Sequence, residues 1–264
     1  MKKLLAMALG LVLAFGTVTA WAAAAEIDYD MESIDPDLTN KPSLQNGMML
    51  YMNYCMGCHS LQYQRYERTA DDLGIPHELV LENLIFTDQK IGGLMTTSMD
   101  AEKAKNWFGA APPDLTMITR AKSAEYVYNY LKTFYVDDGR PLGTNNKVYP
   151  NVGMPNVLFE LQGVQRSGCI QVPKLADNGG EMRDADRNPI TEEKCDELYV
   201  EEGTGSMTAE EFDAAMYDLT NFLYYVGEPS RLERHRLGIY VLLFLVILGC
   251  FTYLLNREYW KDVH

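Results

Sequence analysis

The sequence predicts a mostly α-helical domain with loop insertions, followed by one C-terminal transmembrane helix. Two observations lead to this fold class. Apolar side chains recur at helical spacing in several segments, whereas no convincing run alternates apolar and polar residues as a half-buried strand would. In addition, the 19 residues 237–255 carry no charge. The chain has 264 residues, 47% of them hydrophobic, which is enough to bury a core.

The first element is a predicted signal peptide, residues 1–24. Lys2 and Lys3 precede an apolar stretch from Leu4 to Val18, and small alanines follow as a cleavage site. The alternative is a buried or membrane-spanning N-terminal helix. Removal of the two lysines would change the net charge from −14 to −16. The remainder is then exported, and a bacterial periplasm allows its thiols to oxidise.

Residues 25–236 are predicted to form one periplasmic domain. An acidic arm at 26–37 precedes a helical pattern over Ser43–His59, and a second helical pattern covers Ala121–Phe134. The clearest helix begins at Thr208, which has the sequence of a capping box with Glu211. Its apolar face comprises Phe212, Ala215, Met216, Leu219, Phe222, Leu223 and Val226.

An acidic insertion lies at about 169–202. Residues 177–202 hold ten acidic and three basic side chains, which indicates a solvated segment. Cys169 and Cys195 lie at its two ends. In an oxidising compartment a disulfide between them would close a loop of about 27 residues, worth roughly 3 kcal/mol. Two free thiols are the alternative.

The last element is the transmembrane anchor, 237–255, with a tail at 256–264. Nineteen helical residues span roughly 28 Å, close to the thickness of a bilayer's hydrocarbon core. Three arginines precede the span and two basic residues follow it, so the positive-inside count alone would put the domain in the cytoplasm. The export signal outweighs this count. We therefore predict a single-pass protein of the bacterial inner membrane. Its anchor lies in the lipid and its tail in the cytoplasm.

Acidic residues outnumber basic ones by 37 to 23. Nucleic-acid binding is disfavoured because it requires a cationic face that displaces counterions from phosphates. The same acidity could speed the encounter with a basic protein partner, although it could equally serve only for solvation.

The motif Cys55-Met56-Gly57-Cys58-His59 carries the chemistry. Positions i, i+3 and i+4 share one face of a helix, so two thiols could add to the vinyl groups of one haem while the imidazole ligates its iron. The alternatives are a redox Cys-x-x-Cys pair and half a zinc site. A redox pair should follow a strand, and a zinc site needs two further ligands nearby. Neither is evident in the sequence, so we predict one covalent haem c.

The sixth iron ligand and the partner of the haem propionates are less strongly indicated. Met154 lies in the stiff Gly-Met-Pro loop at 153–155, and a thioether there would close the coordination sphere. From the residues alone it competes on even terms with three other methionines, Met95, Met99 and Met117. Arg120 follows a rigid Pro-Pro-Asp-Leu turn and is the candidate donor to a propionate, or else a solvated surface residue.

Four segments together resemble the bacterial cytochrome c1 family, the haem subunit of ubiquinol–cytochrome c reductase. They are YCMGCHSLQY at 54–63, APPDLTMITRA at 111–121, the Gly-Met-Pro loop and the late helix before the anchor. The resemblance covers essentially the whole mature chain and implies a class I cytochrome c-like haem domain. It implies thioether links at Cys55 and Cys58, with His59 as proximal and Met154 as distal ligand. Arg120 and Pro113 would contact the haem.

The resemblance also implies a function. The chain would accept an electron from a Rieske iron–sulfur protein and pass it to a soluble or membrane-bound cytochrome c, in a complex that also contains cytochrome b. It would be the electron-transfer subunit of a quinol–cytochrome c oxidoreductase, with no substrate-transforming site of its own. Two alternatives remain, namely a free-standing anchored cytochrome c that donates to a terminal oxidase, and a haem sensor or enzyme with an open sixth site.

Overall fold

The computed structural model of the protein describes residues 29–174, 182–183, 187 and 189–261. The predicted signal peptide lies outside the described residues, as do parts of the acidic insertion and the last three residues of the tail. Within the described ranges about half of the residues are helical, which confirms the predicted fold class. The helices are α1 (Lys41–Leu50), a π-helix (Tyr51–Cys55), α2 (Tyr66–Leu73), α3 (His77–Asn83), α4 (Ala101–Phe108), α5 (Ile118–Ala121), α6 (Ala124–Lys132), α7 (Phe159–Gln162), α8 (Ala209–Gly227) and α9 (Arg231–Tyr259).

Helix α8 begins as the sequence predicts. The Thr208 hydroxyl accepts a hydrogen bond from the Glu211 backbone N–H at 3.3 Å, and the Glu211 carboxylate accepts one from the Thr208 N–H at 2.8 Å. These two bonds satisfy donors that the first turn of a helix otherwise leaves unpaired. All seven residues of its predicted apolar face are buried.

The predicted helix over Ala121–Phe134 is wrong in extent. Helix α5 ends at Ala121, and Ser123 adopts a positive φ of 109° before α6 begins. The Ser123 hydroxyl caps α6 by accepting from the Tyr126 N–H at 3.1 Å. The chain therefore turns at Ser123, because this side chain offers the backbone an alternative to a continuous helix. The residues of α6 at helical apolar spacing are nevertheless buried, namely Ala124, Val127, Tyr128 and Leu131.

Three two-stranded antiparallel sheets complete the described part of the chain, and the sequence did not indicate them. They pair β1 (Leu61–Arg65) with β2 (Leu94–Met95), β3 (Phe134–Val136) with β4 (Thr144–Asn146), and β5 (Gln165–Pro173) with β6 (Thr191–Val200).

The described part of the acidic insertion includes the β5–β6 ribbon, so the segment that the sequence predicts to be solvated also has a regular backbone structure. Its register runs from Gln165 opposite Val200 to Pro173 opposite Thr191, and a disulfide joins Cys169 to Cys195 across the two strands. Most side chains of β6 are exposed. The backbone ladder and the cross-link therefore hold the ribbon, and an alternating apolar pattern is not needed.

The core forms where α1 crosses α8. Gly47 lets the helices approach closely, since a methyl group on its Cα would lie 2.1 Å from the Asp218 backbone oxygen. Around this crossing Met48, Leu219 and Phe222 are almost completely buried. The acidic arm is attached to the same helices, because the Tyr217 hydroxyl donates to the Asp35 backbone oxygen at 2.9 Å. The two ends of the domain thus build one core.

Helix α9 follows α8 after a short turn. It spans 29 residues, none of them buried, and is long and apolar enough to cross a membrane. The Arg234 guanidinium binds the Glu228 carboxylate at 2.5 Å just before the apolar stretch begins. The predicted anchor, 237–255, lies wholly within this helix.

Candidate functional site

The Cys-x-x-Cys-His motif begins in the π-helix and ends in a single turn. The Met56 N–H donates to the Tyr51 backbone oxygen at 2.9 Å, which widens the last turn of the helix. The N–H groups of Cys58 and His59 then both donate to the Cys55 backbone oxygen, at 3.1 and 2.9 Å. Because the last bond joins positions i and i+4, the two thiols and the imidazole project from one turn.

The two cysteines of the motif are not joined in a disulfide. Cys55 is buried and Cys58 is partly exposed. Burial, with a smaller contribution from Cys58, raises the pKa of the Cys55 thiol to about 12, so the thiol is neutral. Among the described residues, the one cluster of thiol and carboxylate groups close enough to share a metal ion is Cys169, Glu193 and Cys195, and its two cysteines form the disulfide. Within the described part of the chain, the motif therefore lacks the further ligands that a zinc site would need.

The His59 ring is fixed by a backbone carbonyl. Its Nδ1 lies 2.7 Å from the Pro113 oxygen, and the ring is buried. Burial lowers the pKa of His59, partly opposed by the Pro113 carbonyl, so the imidazole is neutral. A carbonyl can only accept, so Nδ1 carries the proton and Nε2 keeps its lone pair. That is the tautomer and orientation required of an iron ligand.

Two further hydrogen bonds hold the Pro-Pro-Asp-Leu turn against the motif. The Leu115 N–H donates to the Ser60 backbone oxygen at 2.9 Å, and the Gln62 N–H donates to the Asp114 carboxylate at 2.8 Å. The other oxygen of that carboxylate accepts from the Thr116 N–H at 3.0 Å and closes the turn. The carbonyl of Pro113 is therefore held in place from both sides.

Sequence reasoning missed a second segment that contacts the motif. The Thr97 hydroxyl donates to the Gly57 backbone oxygen at 2.8 Å, and the Thr97 N–H donates to the Ser60 hydroxyl at 2.9 Å. A lone threonine in a loop gives no signal for such a contact, because only the fold brings the two loops together.

The structure distinguishes the environments of the methionine candidates. The Tyr130 hydroxyl donates to the Met154 sulfur at 3.4 Å, and Met154 is half-buried. The Tyr130 ring is held edge-on against Phe134, with ring centroids 5.1 Å apart. By contrast, Met95 is completely buried opposite Leu61 in the β1–β2 pair.

The two remaining candidates lie in more accessible places. Met99 is half-buried, and its N–H donates to the Thr97 hydroxyl at 3.1 Å. Met117 is 43% exposed just before α5. The Met154 sulfur shares with that of Met95, which accepts from the Thr69 hydroxyl at 3.8 Å, a hydroxyl directed at it, and Met154 differs from Met95 in being only half-buried.

Arg120 lies on the exposed side of α5, close to the end of α8. A methyl group on Gly227 would lie 3.4 Å from the Arg120 Cγ, and the positive charge of Arg120 contributes to lowering the pKa of Glu228, after the larger effect of Arg234. The structure thus gives this guanidinium an acidic neighbour of the protein's own.

The chain is similar to known proteins of the Cytochrome C1 family. The sequence profile of the Cytochrome C1 family matches residues 36–263. The chain is 50% identical to cytochrome c1 of Allochromatium vinosum over 234 residues, which cover 89% of this chain and 90% of that protein. It is 37% identical over 254 residues to a Nitrosomonas europaea protein called ammonia monooxygenase gamma subunit, with 96% and 97% covered. It is also 24% identical over 249 residues to mitochondrial cytochrome c1 of Saccharomyces cerevisiae, with 84% and 67% covered.

Proposed function

Because the chain belongs to the Cytochrome C1 family, we propose that it takes single electrons from a Rieske iron–sulfur protein and passes them to a cytochrome c. The family fixes the coarser role: a haem c protein of electron transport in a bc1-type complex, ubiquinol–cytochrome c reductase, anchored in the membrane by a C-terminal helix. The identities of the donor and the acceptor, and the roles of individual residues, belong to the proposal.

Cys55 and Cys58 hold the haem through two thioethers, and His59 is the proximal ligand. The observation that carries this assignment is the 2.7 Å contact between His59 Nδ1 and the Pro113 carbonyl. It fixes the tautomer that leaves Nε2 unprotonated, which is the donor that an iron requires. When bound, the haem supplies a one-electron couple. The part played by Pro113 is to orient the imidazole through its backbone oxygen.

Met154 is the distal ligand in this proposal. A thioether sulfur has two lone pairs, so the Tyr130 hydroxyl can bind one of them while the other remains for the iron. Pro155 restricts the backbone after it, and Gly153 before it allows the loop to approach Phe108 closely, since a methyl group on Gly153 would lie only 3.0 Å from the Phe108 oxygen. A closed coordination sphere favours electron transfer over substrate binding.

Arg120 is proposed as a donor to a haem propionate. Its guanidinium is exposed near Glu228, so it would have to serve both carboxylates or exchange one for the other. A five-donor guanidinium can bind two acceptors at once. An Arg120→Gln variant with an unchanged reduction potential would contradict this role.

The sixth ligand is tested by a redox titration and a carbon monoxide assay of the haem-loaded wild type and a Met154→Leu variant. We expect the reduced wild type not to bind carbon monoxide, because His59 and Met154 would together leave the iron no open coordination position. The variant should bind carbon monoxide and show a lower reduction potential, since the thioether favours ferrous iron. Met117→Leu is the matched control. A wild type that binds carbon monoxide would favour the sensor or enzyme alternative.

The arrangement in the membrane is part of the same proposal. A signal peptide at 1–24 would export the haem domain, 25–236, to the periplasm and leave the tail at 256–264 in the cytoplasm. Purification in mild detergent should recover a b-type cytochrome and an iron–sulfur protein with the chain. Recovery of the chain without either one would favour the free-standing cytochrome that donates to an oxidase.

The acidic surface suits a basic cytochrome c as the acceptor. Exposed carboxylates line β6, so complementary charge would speed the encounter without requiring a tight complex. Electron transfer to a basic cytochrome c should therefore slow as the salt concentration rises. A rate independent of salt would assign these carboxylates to solvation alone.

A further inference from the structure

The loop that carries Met154 is fastened by a side chain for which the sequence gave no signal. Arg140 lies in the turn between β3 and β4, and its guanidinium reaches the residues just before the Gly-Met-Pro segment. Nη2 donates to the Asn151 backbone oxygen at 2.8 Å and to the Val152 oxygen at 3.4 Å. Nη1 donates to the Asn151 side-chain oxygen at 3.2 Å.

The turn that presents Arg140 is itself well ordered by hydrogen bonds. The Arg140 N–H donates to the Asp137 backbone oxygen, and the Gly143 N–H donates to the Arg140 oxygen, both at 3.0 Å. The Asp137 carboxylate accepts from the Gly139 N–H at 3.0 Å and from the Asn145 amide at 2.9 Å. These hydrogen bonds restrain the backbone that carries the Arg140 side chain.

The backbone segment that Arg140 binds has a conformation that needs such a restraint. Asn151 has a left-handed φ of 64°, a conformation that non-glycine residues adopt at some energetic cost. The Asn145 side-chain oxygen accepts from the Asn151 N–H at 2.8 Å, while Arg140 binds its carbonyl and its side chain. The backbone at 151–152 is thus held from both sides, two to three residues before Met154.

From these contacts we infer that Arg140 is a positioning residue for the distal ligand: its forked guanidinium fixes the loop so that the Met154 sulfur stays at the sixth position. The inference rests on the proposed role of Met154. A lysine keeps the charge but has no planar fork, so it cannot bind both carbonyls and the Asn151 side chain in one geometry.

The test is the affinity of the ferric, haem-loaded, full-length protein for imidazole, which binds the iron only when the sulfur has left. In Arg140→Lys the loss of the charged fork should raise the imidazole affinity about tenfold, the equivalent of one charge-assisted hydrogen bond. Arg166→Lys is the matched control, because Arg166 binds Glu201 on the exposed β5–β6 ribbon. It should bind imidazole as the wild type does.

The outcomes separate the two hypotheses. A tenfold rise in Arg140→Lys alone supports the inference. If Met154→Leu opens the iron to imidazole but Arg140→Lys behaves as the wild type, the role of Arg140 is overturned and Met154 stands as ligand. If Met154→Leu leaves the imidazole affinity unchanged, the proposed distal ligand is wrong. An Arg140→Lys protein that fails to accumulate with haem assigns Arg140 to global folding and also overturns the inference.

Discussion

The crossing of α1 and α8 gives the sharpest stability prediction. Gly47→Ala would place a methyl group 2.1 Å from the Asp218 backbone oxygen and 2.6 Å from the Phe222 Cβ. Neither contact can be relieved by a side-chain rotation, because one atom is backbone and the other is the first atom of its side chain. The two helices would have to separate by more than about 1 Å to restore an ordinary contact.

The expected magnitude follows from two opposing effects. Overpacking a filled core costs up to about 3 kcal/mol, and the upper end applies where backbone must move. Alanine in place of glycine recovers about 1 kcal/mol of helix propensity. The net loss is therefore about 2 kcal/mol, which for a domain of this size lowers the unfolding midpoint by about 4–8 °C.

The assay is thermal unfolding of the haem-loaded protein, followed by far-ultraviolet circular dichroism. Gly92→Ala is the control, because the nearest atom to its new methyl group is the end of the flexible Glu67 carboxylate, at 3.5 Å. We expect this control to unfold as the wild type does. If Gly47→Ala also unfolds at the wild-type temperature, the two helices do not depend on glycine for their close approach.

Two further predictions concern ion pairs that join distant segments. Lys132→Met removes the ammonium group that binds Glu32 and Asp213, each at 2.8 Å, and should cost about 1–2 kcal/mol in urea unfolding and expose the acidic arm to protease. For Asp196, hydrogen bonds led by the one from Lys147 hold the pKa of the carboxyl below its ordinary value. The wild type should therefore be more stable than Asp196→Asn at neutral pH. This advantage should vanish as the pH falls from about 5 toward 2, and a constant difference in unfolding midpoint across that range would contradict it.

The sequence predicted the elements that local chemistry determines. The capping box at Thr208, the apolar face of α8 and the uncharged span at 237–255 each follow from residue types at fixed spacing, and each is found where predicted. The family and its haem c are likewise confirmed.

Features that depend on pairing across the chain gave no such signal. Strand β6 is largely exposed and carries many charged side chains, so no alternation distinguishes it from a solvated loop. The sequence gives no signal for the break at Ser123 either, because apolar spacing continues across it while the backbone turns. A periodic pattern describes which side chains are buried and not whether the backbone between them is continuous.

The two segments proposed to supply the iron ligands are held by different kinds of group, and this limits what a motif can reveal. His59 is oriented by the backbone oxygen of Pro113. Any residue has such an acceptor, so the path of the chain decides which residue supplies it. The loop before Met154 is held by side chains, Arg140 and Asn145, whose donors and acceptors are specific to their residue types. We therefore expect substitutions of Pro113 that keep the backbone path to be tolerated, whereas at Arg140 even a change that conserves charge should loosen the loop that carries Met154.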